Sequence, residues 1–336
     1  MSECTIGVVG AGSWGTALAA MVAEKGLPVT LWAYEKELVE SISAKHRNPL
    51  FLPEAELPAT LICTGDMRQA VAAKRIVLWV TPVKAFRALF AQGLSESAPG
   101  AIHVCASKGI ENDTLETVSQ MAADIARGRE LAFAVLSGPS FAHDVARRMP
   151  TAVVIASQDQ ASAAAVQETL ATPYFRTYTS QDVVGVEIGG ALKNVIAVAS
   201  GIVEGLGLGH NTRAALITRG LAEIMRLGIF LGADPLTFSG LSGIGDLVLT
   251  CTSTQSRNYS VGLQLGQGKK LDEVLSHMNM VAEGVYTTRS AYALSRRHGI
   301  DMPIVTEIYQ ILFEGKSPQQ AVKALMGRDL KKEILL

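Results

Sequence analysis

The side chains best suited to chemistry lie far apart in this chain of 336 residues. Lys193 sits in Gly189-Gly190-Ala191-Leu192-Lys193-Asn194, and no other Lys or Arg falls between Arg176 and Arg213. A lysine on a stretch built from Gly, Ala, Val and Ile must snorkel, pair or lose its charge. Two readings stand at this point. The amine reaches solvent, or partial desolvation brings its pKa toward neutrality, as proton transfer needs. A second group follows in Gly243-Ile244-Gly245-Asp246, Thr250 and Gln255-Ser256-Arg257-Asn258. Asp246 is suited to hold Lys193 or to bond a substrate hydroxyl. Arg257 offers a planar fork that matches a phosphate. Ser256 and Asn258 add short polar groups at an expected helix start. The plainer reading of this second group is a polar loop with a good N-cap.

A third group opens the chain. Gly10-Ala11-Gly12-Ser13-Trp14-Gly15 follows an apolar run at 5–9, and a helical stretch at 16–24 ends at Lys25-Gly26. A second apolar run occupies 28–32. GxGxxG alone is a weak signal, but between a strand and a helix of a βαβ unit it is a strong one. Gly10 permits a tight turn, Gly12 lets the backbone approach a pyrophosphate, and Gly15 lets the helix pack close to the sheet. The helix N-terminus presents N–H groups to the phosphates. The residues after the second strand normally select the dinucleotide. Here they are Ala33-Tyr34-Glu35-Lys36, which leaves NAD and NADP both open. Tyr34 is equally suited to line an adenosine pocket or to be an ordinary loop aromatic.

These groups need elements to position them. Apolar runs at 75–80, 101–106, 132–136 and 151–156 read as further strands, with Pro82 in the first turn of a helix. Regular strand–helix alternation predicts a parallel sheet with helices on both faces, and ligands bind beyond the carboxyl ends of such strands. Lys108, Gly138 and Ser140 fall at those ends. Lys108 is placed to hold a substrate anion, to line the cofactor, or simply to be solvated. After about residue 180 the strands stop. Helical patterns run at 183–203, 213–227 (with Asn211-Thr212 as the expected cap), 246–252, 258–266, 271–277, 287–298, 305–313 and 318–326. The expected architecture is α/β, with an N-terminal Rossmann-type dinucleotide-binding domain at 1–183 and an all-α C-terminal substrate domain at 184–336. A ligand cleft is expected between the two.

Composition excludes several classes. Lys plus Arg total 30 and Asp plus Glu total 31, so the net charge of −1 offers no basic face for nucleic acid or an anionic membrane. That balance also argues against a dinucleotide sensor that reads DNA. Hydrophobic residues make up 48% and charged residues 18%, which is not the composition of a disordered chain. The mean hydropathy of +0.25 invites a membrane reading, but Glu187, Lys193 and Asn194 interrupt the longest apolar stretch. No Lys or Arg precedes Lys25, so a secretory leader's basic region is missing. Cys4, Cys63, Cys105 and Cys251 are scattered without CxxC spacing or a neighbouring His, and read as reduced cytoplasmic thiols rather than a disulfide framework or metal site.

GAGSWGTALA, ASKG, SGPSFA, GGALKNVIA, GDLVLTCT and QSRN, in that order, closely resemble the bacterial NAD(P)-dependent sn-glycerol-3-phosphate dehydrogenases over essentially the whole chain. The resemblance implies a cytoplasmic enzyme, expected as a homodimer. It would use NAD(P)H, without a metal, to reduce dihydroxyacetone phosphate reversibly to sn-glycerol 3-phosphate for phospholipid synthesis. It implies that Lys193 is the catalytic acid/base. Lys108, Gly138, Ser140, Asp246, Ser256, Arg257 and Asn258 would surround the substrate, with Lys193. Ser13, Trp14, Tyr34, Lys108, Ala142, Arg257, Val281 and Glu283 would meet the cofactor, beside Gly10, Gly12 and Gly15. The chemistry of Val281 and Glu283 alone suggests no role for them. The rival is a β-hydroxyacid dehydrogenase or ketopantoate reductase. The former use GxxxKxxxN, and here Gly189 and Lys193 fit but Ala197 stands where Asn is required. The phosphate-suited cluster at Gln255–Asn258 also argues against a non-phosphorylated acid.

Overall fold

A computed structural model describes residues 5–278, 280–330, 332 and 333. Cys4 lies outside them; Cys63, Cys105 and Cys251 are buried. The chain divides into two compact units, one of residues 1–108 and 118–183, the other of 109–117 and 184–336. The strap at 109–117 therefore departs from the expected boundary. Ile110 explains why: it is 3% exposed and belongs to the apolar core of the second unit.

The first unit is built on one sheet. Its elements are β1 (Ile6–Val9), α1 (Ser13–Ala23), β2 (Val29–Trp32), α2 (Lys36–Lys45), β3 (Ile62–Thr64), α3 (Met67–Val71), β4 (Ile76–Trp79), α4 (Val83–Glu96) and β5 (Ile102–Cys105). Then come α5 (Val118–Ala126), β6 (Phe133–Ser137), α6 (Ala142–Ala146), β7 (Thr151–Ala156), α7 (Gln160–Leu170) and β8 (Phe175–Ser180). The strand order is β3-β2-β1-β4-β5-β6-β7-β8. Every residue of β1, β2, β4 and β5 is buried, as strands covered on both faces require. β1 to β6 are parallel, so the carboxyl ends of β1, β4, β5 and β6 share one edge.

The expectation of a wholly parallel sheet fails at β7, which pairs antiparallel to β6 with Leu136 opposite Ile155. The connection between them does not cross back over the sheet. Gly138, at φ +139°, turns the chain so closely that a Cβ there would lie 2.9 Å from the Val153 Cα. The short α6 then packs on α1 instead of spanning a crossover. The apolar-run criterion also passed over β3, which is three residues long, and β8, whose FRTYTS alternates buried and exposed positions.

The second unit is helical: α8 (Val183–Gly205), α9 (Gly209–Phe230), α10 (Asp246–Thr252), α11 (Arg257–Gly266), α12 (Leu271–Ser276), α13 (Glu283–His298), α14 (Pro303–Phe313) and α15 (Pro318–Met326). A 3-10 turn at Pro235–Ser239 and a π turn at Leu241–Gly245 lead into α10. α8 is long and apolar enough to span a membrane, but its apolar window is 100% buried within the protein, as the central helix of a core. α9 starts before the expected Asn211-Thr212 cap. Gly207 and Gly209 both take positive φ, which closes the turn early, and the Thr212 hydroxyl donates to the Leu208 carbonyl at 3.0 Å. α13 likewise begins at Glu283 rather than at 287. Glu223 on α9 reaches the start of α14 and accepts from the Ile304 and Val305 N–H groups at 2.7 and 3.1 Å.

Candidate active site

In the first unit the glycine loop is fixed by sterics. Gly10 has φ +116°, and a Cβ on it would lie 2.4 Å from the Val80 carbonyl oxygen. A Cβ on Gly15 would lie 1.9 Å from the Gly10 oxygen, so the first turn of α1 rests directly on the loop backbone. Gly12 differs, since nothing lies within 4 Å of where its Cβ would be. It also N-caps α1 without any side-chain hydrogen bond to the helix's first N–H groups. An open backbone in front of a helix N-terminus is what a pyrophosphate requires, so these residues fit a dinucleotide.

Sequence reasoning missed the residue that stiffens this loop. Asn48 is fully buried, and its Nδ2 donates to the Ala11 carbonyl at 2.8 Å and to the Thr16 hydroxyl at 2.9 Å. It lies in an irregular segment after α2, where no motif or periodicity marks it. Ser13 and Trp14 are half-buried at the start of α1, with the Trp14 ring 6.4 Å from Phe175. Tyr34 is 81% exposed and meets only the edge of Trp32 among the ring contacts.

The strand ends come together as expected. The Ser107 hydroxyl donates to the Thr81 carbonyl at 2.6 Å, tying the exits of β5 and β4. Lys108 follows, and its Nζ donates to the Gly138 carbonyl at 3.4 Å, while the Ser140 hydroxyl donates to the same oxygen at 2.9 Å. Lys108, Gly138 and Ser140 thus form one cluster beyond the sheet, and Ala142 opens α6 just after it. His103 on β5 is no catalytic candidate. Burial holds its pKa down at about 4, and Nδ1 accepts from the Trp79 indole at 3.1 Å, which keeps the ring neutral and structural.

In the second unit Lys193 and Asp246 form a hydrogen-bonded ion pair, with side chains 8% and 1% exposed. The snorkelling reading is therefore wrong: the amine is buried and paired. Gly189 makes the approach possible, because a Cβ there would lie 2.5 Å from the Ser242 carbonyl in the turn that leads to Asp246. The Thr250 hydroxyl, one helical turn on, donates to the Asp246 backbone oxygen at 2.6 Å and lies 3.4 Å from Oδ1. A buried pair with this support holds the amine in a fixed place.

Ser256 caps α11 through a 3.2 Å bond from the Tyr259 N–H. Arg257 donates to the Val281 carbonyl at 2.9 Å. Surrounding protein lowers its pKa, and the Glu283 carboxylate opposes that. Asn258 has protein partners on both ends of its carboxamide. Its Nδ2 donates to the Asn194 side chain at 2.8 Å and its Oδ1 accepts from the Gly284 N–H at 2.9 Å. The carboxamide is a brace joining α8, α11 and the start of α13. Asn194, absent from the sequence-based candidates although it adjoins Lys193, is the other half of that brace. Among the described residues no group of three or more His, Cys, Asp or Glu side chains is arranged to hold a metal.

Known proteins match at every level. Residues 5–163 match the family model described as NAD-dependent glycerol-3-phosphate dehydrogenase N-terminus, and 182–323 match that of its C-terminus. A glycerol-3-phosphate dehydrogenase [NAD(P)+] of Geobacter sulfurreducens is 59% identical over 338 residues, covering 99% of each chain. The crystal structure of glycerol-3-phosphate dehydrogenase from Coxiella burnetii superposes with a TM-score of 0.93 at 39% identity, over 97% of this chain and 99% of that one. A ketopantoate reductase from Ralstonia eutropha, at 16% identity, TM-score 0.60 and 95% and 99% coverage, shares the fold alone.

Proposed function

Because the chain belongs to the NAD-dependent glycerol-3-phosphate dehydrogenase family, we propose that it reduces dihydroxyacetone phosphate to sn-glycerol 3-phosphate with NAD(P)H, reversibly, and that Lys193 is its acid/base. The buried Lys193–Asp246 pair carries the second half of this reading. When bound, the dinucleotide supplies the hydride that C2 receives. As the carbonyl oxygen gains negative charge, the Lys193 ammonium donates a proton to it, while Asp246 holds the amine in line and stabilises its charged form. In the reverse direction the neutral amine accepts the hydroxyl proton. Arg257, with Ser256 at the head of α11, holds the phosphate, and Asn258 keeps both in place through its bonds to Asn194 and Gly284.

For the cofactor we assign the open loop at Gly10, Gly12 and Gly15 with the N–H groups of Ser13 and Trp14. Tyr34 would lie toward the adenosine and Ala142 beside the glycine turn, with Val281 and Glu283 closing near Arg257. Lys108, Gly138 and Ser140 complete the substrate's surroundings. The product is the backbone of glycerophospholipids, which supports a role in phospholipid synthesis. The buried cysteines support a cytoplasmic protein, and the family resemblance supports a homodimer.

The experiment is oxidation of NADH and of NADPH by the purified protein, with dihydroxyacetone phosphate or ketopantoate as acceptor. Turnover with dihydroxyacetone phosphate alone is expected; turnover with ketopantoate alone overturns the substrate. Lys193→Ala should lose about 10²–10⁴-fold in kcat. Near-normal kcat in that variant removes Lys193 from the mechanism.

A further inference from the structure

The strap at 109–117 leaves the first unit directly after Lys108 and rejoins it at Val118. It is a closed loop in its own right. The Glu111 N–H donates to the Glu116 carbonyl at 2.9 Å, the Leu115 N–H to the Glu111 carbonyl at 3.1 Å, and the Thr114 hydroxyl to the Glu111 side chain at 2.6 Å. Ile110 is buried in the helical core, with Leu115 packed against it. One side chain of α13 fixes the loop there. Ser290, fully buried, has its Oγ 2.9 Å from the Ile110 carbonyl and 2.5 Å from the Asn112 carboxamide. A hydroxyl has one hydrogen, so it cannot donate to both. With the Asn112 carboxamide turned so that Nδ2 donates to Oγ, the hydroxyl hydrogen goes to Ile110 and both bonds are made.

Ser290 stands seven residues after Glu283, two helical turns along α13 and on the same face. The start of α13 is in turn held by Asn258 through the Gly284 N–H. The strap is therefore clamped to a helix whose own position is fixed from α11. Only Gly109 separates Lys108 from the clamped Ile110.

We propose that Ser290, with Asn112, is a positioning residue for the reaction: by clamping Ile110 it fixes the backbone from which Lys108 reaches the substrate anion. This rests on the reading of Lys108 as a substrate-binding residue. A cation that meets the phosphate equally in the ground and transition states acts on KM rather than kcat. Loosening its backbone should do the same.

The test is a double-mutant cycle on the full chain, with Ser290→Ala, Lys108→Ala and the pair, assayed with dihydroxyacetone phosphate. Ser290→Ala should raise KM about 3- to 30-fold and leave kcat within about twofold. The pair should show no more than the Lys108→Ala effect, because Ser290 acts through Lys108. Hydrogen exchange at Glu111 and Leu115 should speed up in Ser290→Ala. If Ser290→Ala does not fold, Asn112→Ala on the exposed side of the clamp takes its place in the same cycle. An unchanged KM, or effects that multiply fully in the pair, overturns the inference and leaves the role of Lys108 intact. A normal KM in Lys108→Ala overturns the role of Lys108, and the inference with it.

Discussion

In the sheet unit the decisive glycines stand in a loop and at the first turn of α1; in the helical unit they stand inside helices or at a helix's last residue. Gly201 and Gly205 of α8 face Gly262 and Gly266 of α11. A Cβ on Gly201 would lie 2.0 Å from the Tyr259 carbonyl, and one on Gly262 would lie 1.9 Å from the Val198 carbonyl. Each pair is spaced four apart and so shares a helix face. Glycine within a helix costs about 0.5–1 kcal/mol against alanine. Here it lets two backbones meet with no side chain between them. That contact sets where Arg257 and Asn258, at the head of α11, stand relative to Lys193. In the loop Gly12 leaves its backbone open, whereas the glycines of α8 and α11 remove room between helices.

Substitution should break the two sets differently. Gly262→Val puts its branched side chain into the α8 backbone, which cannot give way, and should cost about 3 kcal/mol or more. Thermal unfolding would show it, and a Tm within a degree or two of the parent would refute the close-packing account. Gly12→Ala meets open space, so Tm should hardly move, while dinucleotide affinity falls about tenfold or more, equivalent to ~1.4 kcal/mol. A fluorescence titration with NADPH and with NADH checks this, and undiminished binding would take the phosphates away from this loop.

The smallest effect concerns a fastening within the helical unit, the Glu223 carboxylate at the start of α14. Burial raises its pKa to about 7 from 4.5, against the opposing Ile304 and Val305 N–H groups and the Arg226 charge, with Asp301 adding to the rise. Asp301 is itself paired with Arg328 at 2.8 Å. A raised carboxyl pKa means that the folded state holds its proton more tightly than the unfolded chain does. This contribution is full below pH 4.5 and is lost as pH rises through about 7. Glu223→Gln should flatten that part of the stability–pH curve, by ~1–3 kcal/mol between pH 5 and 8. Denaturant midpoints across the range that run parallel in both proteins would exclude it.

The same contrast explains what the sequence could tell. The Gly10–Gly15 loop was legible because its form depends on neighbours in the chain: a strand before it, a helix after it and fixed spacing between. Lys193 was legible as an anomaly, a cation in an apolar helix, but its snorkelling or pairing was not, since Asp246 arrives only through the packing of Gly189 against the turn before α10. The glycines of α8 and α11 look like mere weaknesses in a helical pattern, because their partners lie in another helix. Asn48, Asn194 and Ser290 carry no local signature at all. Each matters through hydrogen bonds to residues distant in sequence, and polar side chains of these types are common in loops and helices alike. The antiparallel turn into β7 was hidden for a related reason, as periodicity shows that a strand exists but not which way it runs.

The Ser290–Ile110 contact joins residues 180 apart in sequence. On a ribosome adding ~5–20 residues per second, roughly 9–36 s pass between the appearance of the two. Throughout that interval a nascent chain carries Ile110 with its docking place not yet synthesised. The nucleotide-binding half can assemble early, but the stretch beside Lys108 is completed only near the end of translation.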